Sequence, residues 1–146
     1  MSVSRTNQAL YFAKQALNEA SSAEGQQDIR RHQEAALFHI NSALGAFCQE
    51  VVTQYGLPPF RWVSDLLSQA QLPQELKELA ILLETKDSWL SQLTTQYQRV
   101  LTQGLGEPSK NTALIVSQSD FSVLYRNYLI ELENLIQRMR EQYLEC

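Results

Sequence analysis

Apolar residues recur every three or four positions along most of this chain, a spacing that predicts α-helices rather than β-strands. The clearest example is the proline-free run from Ile29 to Tyr55, which would form roughly 40 Å of helix. Its inner face is predicted to contain Ile29, Ala36, Ile40, Ala43, Leu44, Phe47 and Val51. Leu37, Cys48 and Tyr55 widen this face, so we expect the helix to contact more than one neighbour.

A first helix is predicted from about Ser4 to Glu24, with Ser4 as its N-cap and Gly25 just after its end. Small side chains follow one flank of this helix, at Ala9, Ala13, Ala16 and Ala20. Such a flank lets a second helix approach closely. Because only a few residues separate the first helix from the second, we expect the two to lie antiparallel.

The next third of the chain predicts one short helix and one long helix. The short helix runs from Phe60 to Gln71 and directs four apolar side chains inward, those of Trp62, Val63, Leu66 and Leu67. We predict a continuous long helix from Pro73 to about Gln103. The alternative is two helices with a break at Lys86 and Asp87, because these two residues interrupt the apolar stripe.

Residues 104–119 contain two glycines and a proline and are predicted to form a long loop laid across the other helices. A final helix then begins near Asp120. Together these elements predict an all-α fold, an up-and-down bundle of four long helices plus one short helix. A chain of 146 residues fits a single domain, here residues 1–146.

The charge balance argues weakly against nucleic acid as a general partner. The formal net charge is -4 and the pI about 5.2, whereas nucleic-acid binding needs a basic surface that displaces counterions. The tight basic pairs Arg30–Arg31 and Arg138–Arg140 are expected to be solvated. No apolar run approaches the roughly 18 residues of a membrane span, and Met1–Arg5 lacks the apolar segment of a secretory signal. We therefore expect a cytoplasmic protein without a membrane partner.

His32, His39 and Glu50 lie on one side of the central helix and are weak candidates for a polar stripe that lines a pocket. The alternative is a boundary stripe, hydrogen-bonded to a neighbouring helix or to water. The two histidines are about 10 Å apart along the helix, too far for both to bind one metal. Neither belongs to a Glu-x-x-His motif of the di-iron bundles. We therefore assign no catalytic, cofactor-binding or metal-ligating residue and expect no cofactor.

Tyr11, Phe12 and Phe38 point away from the predicted inner faces of their helices. Other helices could cover these side chains, which is the commoner arrangement. Alternatively, the three residues form an interaction surface for a protein partner or for a second copy of the chain. They are the strongest residue-level indication of function in the sequence.

The segment Glu34–Leu44 resembles a helix of the HEPN helical-bundle domains. The RNases among those domains carry an arginine five to seven residues before a histidine. Neither His32 nor His39 has an arginine at that distance. The resemblance therefore implies a nucleic-acid or nucleotide-binding domain that lacks the nuclease motif, and it implies no catalytic residue.

Three segments, Arg5–Ala13, Glu34–His39 and Leu135–Glu141, together resemble a small gammaproteobacterial family of unknown function. This resemblance spans most of the chain. It implies a bacterial cytoplasmic protein and carries no site residue with it.

These observations favour a non-enzymatic protein-interaction module, acting through a protein partner or through self-association. The alternative is the HEPN-like nucleic-acid or nucleotide-binding domain. A third hypothesis, with less support, is an enzyme built around His32 and His39.

Overall fold

Six α-helices make up the part of the chain that the structure describes, residues 2–104 and 118–144. This computed structural model places them in chain order as α1 (Ser2–Ser22), α2 (Gln26–Gln54), α3 (Val63–Leu67), α4 (Gln74–Glu84), α5 (Trp89–Gln103) and α6 (Gln118–Leu144). These residues contain no β-strand. The predicted all-α fold is confirmed, and its helices pack around one hydrophobic cluster.

Helices α1 and α2 form an antiparallel hairpin. Thr6 near the start of α1 meets Glu50 near the end of α2, and Glu19 near the end of α1 meets His32 near the start of α2. The alanine flank of α1 is buried in this contact, with Ala9, Ala13, Ala16 and Ala20 at most 6% exposed. Gly25 makes the turn with φ 90°, a conformation that glycine adopts without steric cost.

Helix α2 is the central element of the core, in agreement with its wide apolar face. It contacts α1, α4, α5 and α6. Its buried apolar side chains are those of Ala36, Leu37, Ile40, Ala43, Leu44, Phe47, Cys48, Val51 and Val52. Helix α6 packs against both α1 and α2 and buries Tyr125, Tyr128, Leu129, Leu132, Leu135, Ile136 and Met139. Contact from several directions explains why the apolar stripe of α2 is wider than one neighbour requires.

The prediction of a continuous helix from Pro73 to Gln103 is wrong, because residues 85–88 separate α4 from α5. Thr85, the C-cap of α4, already has an extended backbone with φ -76° and ψ 114°. Asp87 in the same gap has φ 67°, in the left-handed region, which a continuous right-handed helix excludes. Ser88 then caps α5, since its Oγ accepts a hydrogen bond from the backbone N–H of Ser91 at 3.0 Å. The sequence's alternative of two helices is the observed one, and the fold has six described helices where five were predicted.

Other boundaries also differ from the predictions. Helix α1 already includes Ser4, so Ser4 is not its N-cap. Helix α3 is only five residues long, because Trp62 has an extended backbone, and Trp62 is 60% exposed rather than directed inward. Tyr55, predicted on the inner face, is 46% exposed. Helix α6 begins two residues before the predicted Asp120. Most of the predicted loop, residues 105–117, lies outside the described residues.

The cap of α5 gives a direct test of the break. Replacing Ser88→Ala removes the acceptor for the Ser91 N–H and should lower the free energy of unfolding by about 1 kcal/mol. Ser91→Ala keeps that backbone donor and should change stability by less than about 0.5 kcal/mol. Urea unfolding of both variants measures the difference, and equal losses would contradict the assigned cap.

Candidate functional site

The stripe formed by His32, His39 and Glu50 faces α1 along its whole length. Each of its members contacts a different residue of that helix. His32 contacts Glu19, His39 contacts Phe12, and Glu50 contacts Thr6. This order follows from the antiparallel hairpin, which brings the start of α2 to the end of α1. The three residues share a face of α2 but occupy three separate environments, so they do not form one site.

His32 lies at the end of the hairpin and pairs with a carboxylate. Its Nδ1 is 3.1 Å from Glu19 Oε2. The Glu19 side chain is 59% exposed, so solvent screens this pair and its contribution to stability is small. His32 therefore occupies a partly buried surface contact between α1 and α2.

His39 lies between two aromatic rings. The imidazole makes edge-to-face contacts with Phe12 and with Phe38, each at 5.3 Å between ring centroids. Its Nδ1 is buried without a hydrogen-bond partner among the described residues. Burial lowers the pKa of His39, and the nearby Arg5 guanidinium lowers it further. This histidine is therefore a neutral member of an aromatic cluster near physiological pH.

Glu50 is the most buried member of the stripe, at 4% exposure. Arg140 of α6 binds its carboxylate through two nitrogens, with Nε at 2.8 Å from Oε2 and Nη2 at 2.7 Å from Oε1. Thr6 donates a third hydrogen bond to Oε1 at 3.0 Å. The Nη1 of Arg140 also donates to Asn7 at 3.0 Å. This network joins α1, α2 and α6.

The expectation of a solvated pair is wrong for Arg140, whose side chain is 18% exposed, whereas the Arg138 side chain is 50% exposed. Arg140 binds the buried Glu50, as described above, and Arg138 forms an ion pair with Glu78 of α4. The two arginines are two residues apart on α6, so they point in different directions. Arg138 connects α6 to α4, whereas Arg140 connects α6 to α1 and α2.

Metal ligands and nucleophiles were the remaining candidates for site chemistry. Among them, no group of three or more histidine, cysteine, aspartate or glutamate side chains could hold a metal ion. Cys48 is fully buried, and burial raises the pKa of its thiol to about 12, so the reactive thiolate does not form.

None of the described helices is long and apolar enough to cross a lipid bilayer.

Tyr11, Phe12 and Phe38 form what we call the aromatic surface of the hairpin. Their side chains are 57%, 37% and 49% exposed. The rings of Tyr11 and Phe12 are 6.3 Å apart, and His39 lies between Phe12 and Phe38. The four rings are therefore contiguous. No other described helix covers the three candidate residues, contrary to the commoner arrangement.

A groove of about 640 Å³ lies beside this surface, and we call it the α2–α5 groove. Helix α2 contributes the small residues Ser42, Gly45 and Ala46. The segment before and within α3 contributes Trp62 and Val63, and α5 contributes Tyr97 and Leu101. None of His32, His39 and Glu50 lines it.

Gly45 lines the α2 side of the groove and has no side chain to occupy it. A Cβ atom at this position would lie 3.9 Å from the Val63 side chain, which is ordinary contact. Alanine therefore fits at Gly45 and would stabilise the helix by roughly 0.5–1 kcal/mol.

A second cleft of about 530 Å³ lies between α1 and α6. It is lined by Asn7, Leu10, Ile136 and Arg140, together with Glu133 and Glu141. The guanidinium of Arg140 is already bound to Glu50 and Asn7. Because its one lining cation is already bound, this cleft is a weaker candidate for a ligand than the α2–α5 groove.

Comparison with known proteins places the whole chain, residues 1–146, within one family model. The chain belongs to DUF6586, a family of unknown function. No curated protein and no solved structure matches it. Family membership therefore assigns no residue a role, and the geometry alone carries the functional argument.

Sequence reasoning missed two features of the described chain. The first is the Arg140–Glu50 pair, which a glutamate on an apolar stripe could have indicated, because a buried carboxylate requires a partner. The second is the α2–α5 groove, whose residues come from three separate segments. Trp62 was the only available signal for it, and its position was predicted incorrectly.

The buried pair generates a stability prediction. Arg140→Met leaves Glu50 buried without its bidentate partner and should lower the free energy of unfolding by about 3 kcal/mol. The double variant Glu50→Leu with Arg140→Met should recover most of that loss, because no buried charge remains. Arg138→Met is the matched control on the same helix; it breaks a more exposed pair and should cost less than about 1 kcal/mol. Calorimetric unfolding distinguishes these values, and equal losses for Arg138→Met and Arg140→Met would contradict this assignment.

His39 generates a prediction about pH. Its pKa in the folded chain lies below the ordinary 6.5, so the unfolded chain binds the proton more tightly. The free energy of unfolding should therefore fall as the pH drops below about 6.5. His39→Gln removes this contribution, so the wild type should lose stability relative to the variant between about pH 8 and pH 5.5. Urea unfolding at both pH values gives the comparison, and parallel pH profiles would contradict it.

Proposed function

We propose that this chain is a non-enzymatic protein-interaction module of the bacterial cytoplasm and that the aromatic surface contacts its partner. The observation that carries the proposal is the exposure of Tyr11, Phe12 and Phe38, which lie together on the hairpin at 37–57% exposure. Contiguous exposed apolar side chains on a soluble protein are typical of interaction sites. Aromatic residues in particular are enriched at the centres of protein interfaces.

The state of His39 supports a contact that excludes water. An imidazolium at the centre of an interface would lose its hydration on binding, at a large cost in free energy. Burial and Arg5 instead lower the pKa of His39, so the ring is neutral when a partner covers it. The aromatic surface can therefore be covered without burying a charge at its centre.

The environments of the polar stripe support a binding role over a catalytic one. His32 contacts Glu19, His39 contacts two phenylalanine rings, and Glu50 binds Arg140. Each side chain is occupied by contacts that hold helices together, and no two of them face a common space that a substrate could enter.

Charge favours a different protein over a second copy as the occupant. A two-fold contact pairs the same surface patch of both copies. Arg5, which lies close enough to His39 to lower its pKa, would then be present at the interface twice. Juxtaposed like charges weaken an interface, so a partner with acidic groups is the better match.

Affinity capture of the tagged full chain from its native cells tests the proposal. Replacing Tyr11→Ser together with Phe38→Ser should abolish recovery of a specific protein, because it removes two of the three exposed rings. Ile81→Ser is the matched control, since Ile81 is 65% exposed but lies on α4. It should leave recovery unchanged. Circular dichroism checks that each variant is folded.

Both protein and nucleic acid in the captured material should be analysed. Recovery of nothing specific, or equal recovery with both variants, would refute the proposal. Specific nucleic acid without protein would instead support the HEPN-like hypothesis. Light scattering of the purified chain separates self-association from binding of another protein, and a dimer broken by the Tyr11 and Phe38 changes would identify a second copy as the occupant.

A further inference from the structure

The α2–α5 groove is long and open at its edges. Along α5 its lining extends from Leu90 to Leu101, which is roughly 16 Å of helix, or about three turns. Trp62 and Leu101, on different segments of the lining, are 60% and 64% exposed. Two large apolar side chains therefore remain largely in water at the edges, and only an occupant that covers the edges would bury them.

The charged side chains among the described residues that line this groove all have one sign. Arg5 and Arg61 are among its lining residues, and none of the described residues that line it is an aspartate or a glutamate. Arg5 bonds to the neutral amide of Gln8, and Arg61 lies over the ring of Trp62 at 5.7 Å. No carboxylate of the described residues forms an ion pair with either arginine. In a chain with a net charge of -4, this groove is locally cationic.

We propose that the α2–α5 groove binds an acidic amphipathic helix of a partner protein. An apolar groove flanked by exposed side chains is the usual receptor for the apolar face of a helix. Two guanidinium groups, those of Arg5 and Arg61, line the groove, and guanidinium groups can bind carboxylates in a bidentate manner. Ser42, Gly45 and Ala46 leave room for the helix to lie close to α2. A small molecule in the groove would leave Trp62 and Leu101 exposed, which is why the geometry favours a helix.

This inference rests on the proposed function and names the class of partner. The groove and the aromatic surface meet on α2, because Ser42 lies one helical turn beyond Phe38 on the same face. A partner helix in the groove would therefore place the adjoining part of the same partner on the aromatic surface.

Photocrosslinking in the native cells tests the groove directly. The full chain carries p-benzoylphenylalanine in place of Trp62 or, separately, in place of Leu101, so that failure of one labelled chain does not decide the result. Ile81, exposed on α4, is the control position. Mass spectrometry of the crosslinked peptides should identify one segment of another protein at both groove positions and not at Ile81. That segment should be helical, with apolar residues at three- and four-residue spacing and an excess of Asp and Glu.

Charge reversal provides the second measurement. Arg5→Glu together with Arg61→Glu should lower the crosslinking yield at least about tenfold, because complementary charges become repulsive. Arg99→Glu reverses an exposed arginine of α5 that does not line the groove and should leave the yield unchanged. Added salt should weaken the crosslink of the unaltered groove in the same direction.

The outcomes separate the two proposals. Crosslinks to a basic or non-helical segment, to a small molecule or to this chain itself would overturn the acidic helix. A crosslinking yield that charge reversal does not lower would also overturn the acidic helix. The Tyr11 and Phe38 variant could lose a captured protein although no crosslink forms at Trp62 or Leu101. That result would overturn the proposal that the groove binds a helix but would support the proposal that the chain is an interaction module. Absence of any specific protein in both experiments would overturn both.

Discussion

The close packing of α1 on α2 is the constraint on which the rest of this structure depends. Alanines at three- and four-residue spacing let the two backbones approach, and all four are nearly inaccessible to solvent. Tyr11, Phe12 and Phe38 do not belong to this alanine flank and remain exposed. The same packing directs the stripe of His32, His39 and Glu50 towards α1, and none of the three lines either of the two clefts found among the described residues.

Polar contacts then fix the last helix against this hairpin. Arg140 of α6 reaches Glu50 of α2, and Gln33 of α2 donates a hydrogen bond to Ser122 of α6 at 2.8 Å. These two contacts lie at opposite ends of the interface between the helices. A bidentate ion pair has strict geometry, and a shift of α6 along α2 would break it. The polar contacts therefore set the register of α6, while burial of its apolar face supplies most of the stability.

The two proposed interaction surfaces lie where the other described helices leave apolar side chains exposed. Helix α3 is short, and the break at Asp87 separates α4 from α5, so no described helix covers the space between α2 and α5. The resulting groove combines small residues of α2 with aromatic and aliphatic edges and two arginines. The groove and the aromatic surface are the two places where we propose that a partner binds.

The sequence by itself determined the helical class, the central role of α2, the burial of Cys48 and the outward direction of Tyr11, Phe12 and Phe38, because these depend on the periodicity of single helices. Even the break at Lys86 and Asp87 was visible as an interruption of one stripe. Only the tertiary structure decided three other features. These are the partner of Glu50, the contacts of His32 and His39, and the existence of the α2–α5 groove. Each of these joins residues that are far apart along the chain, and periodicity within one helix carries no information about which helix lies opposite it or in what register.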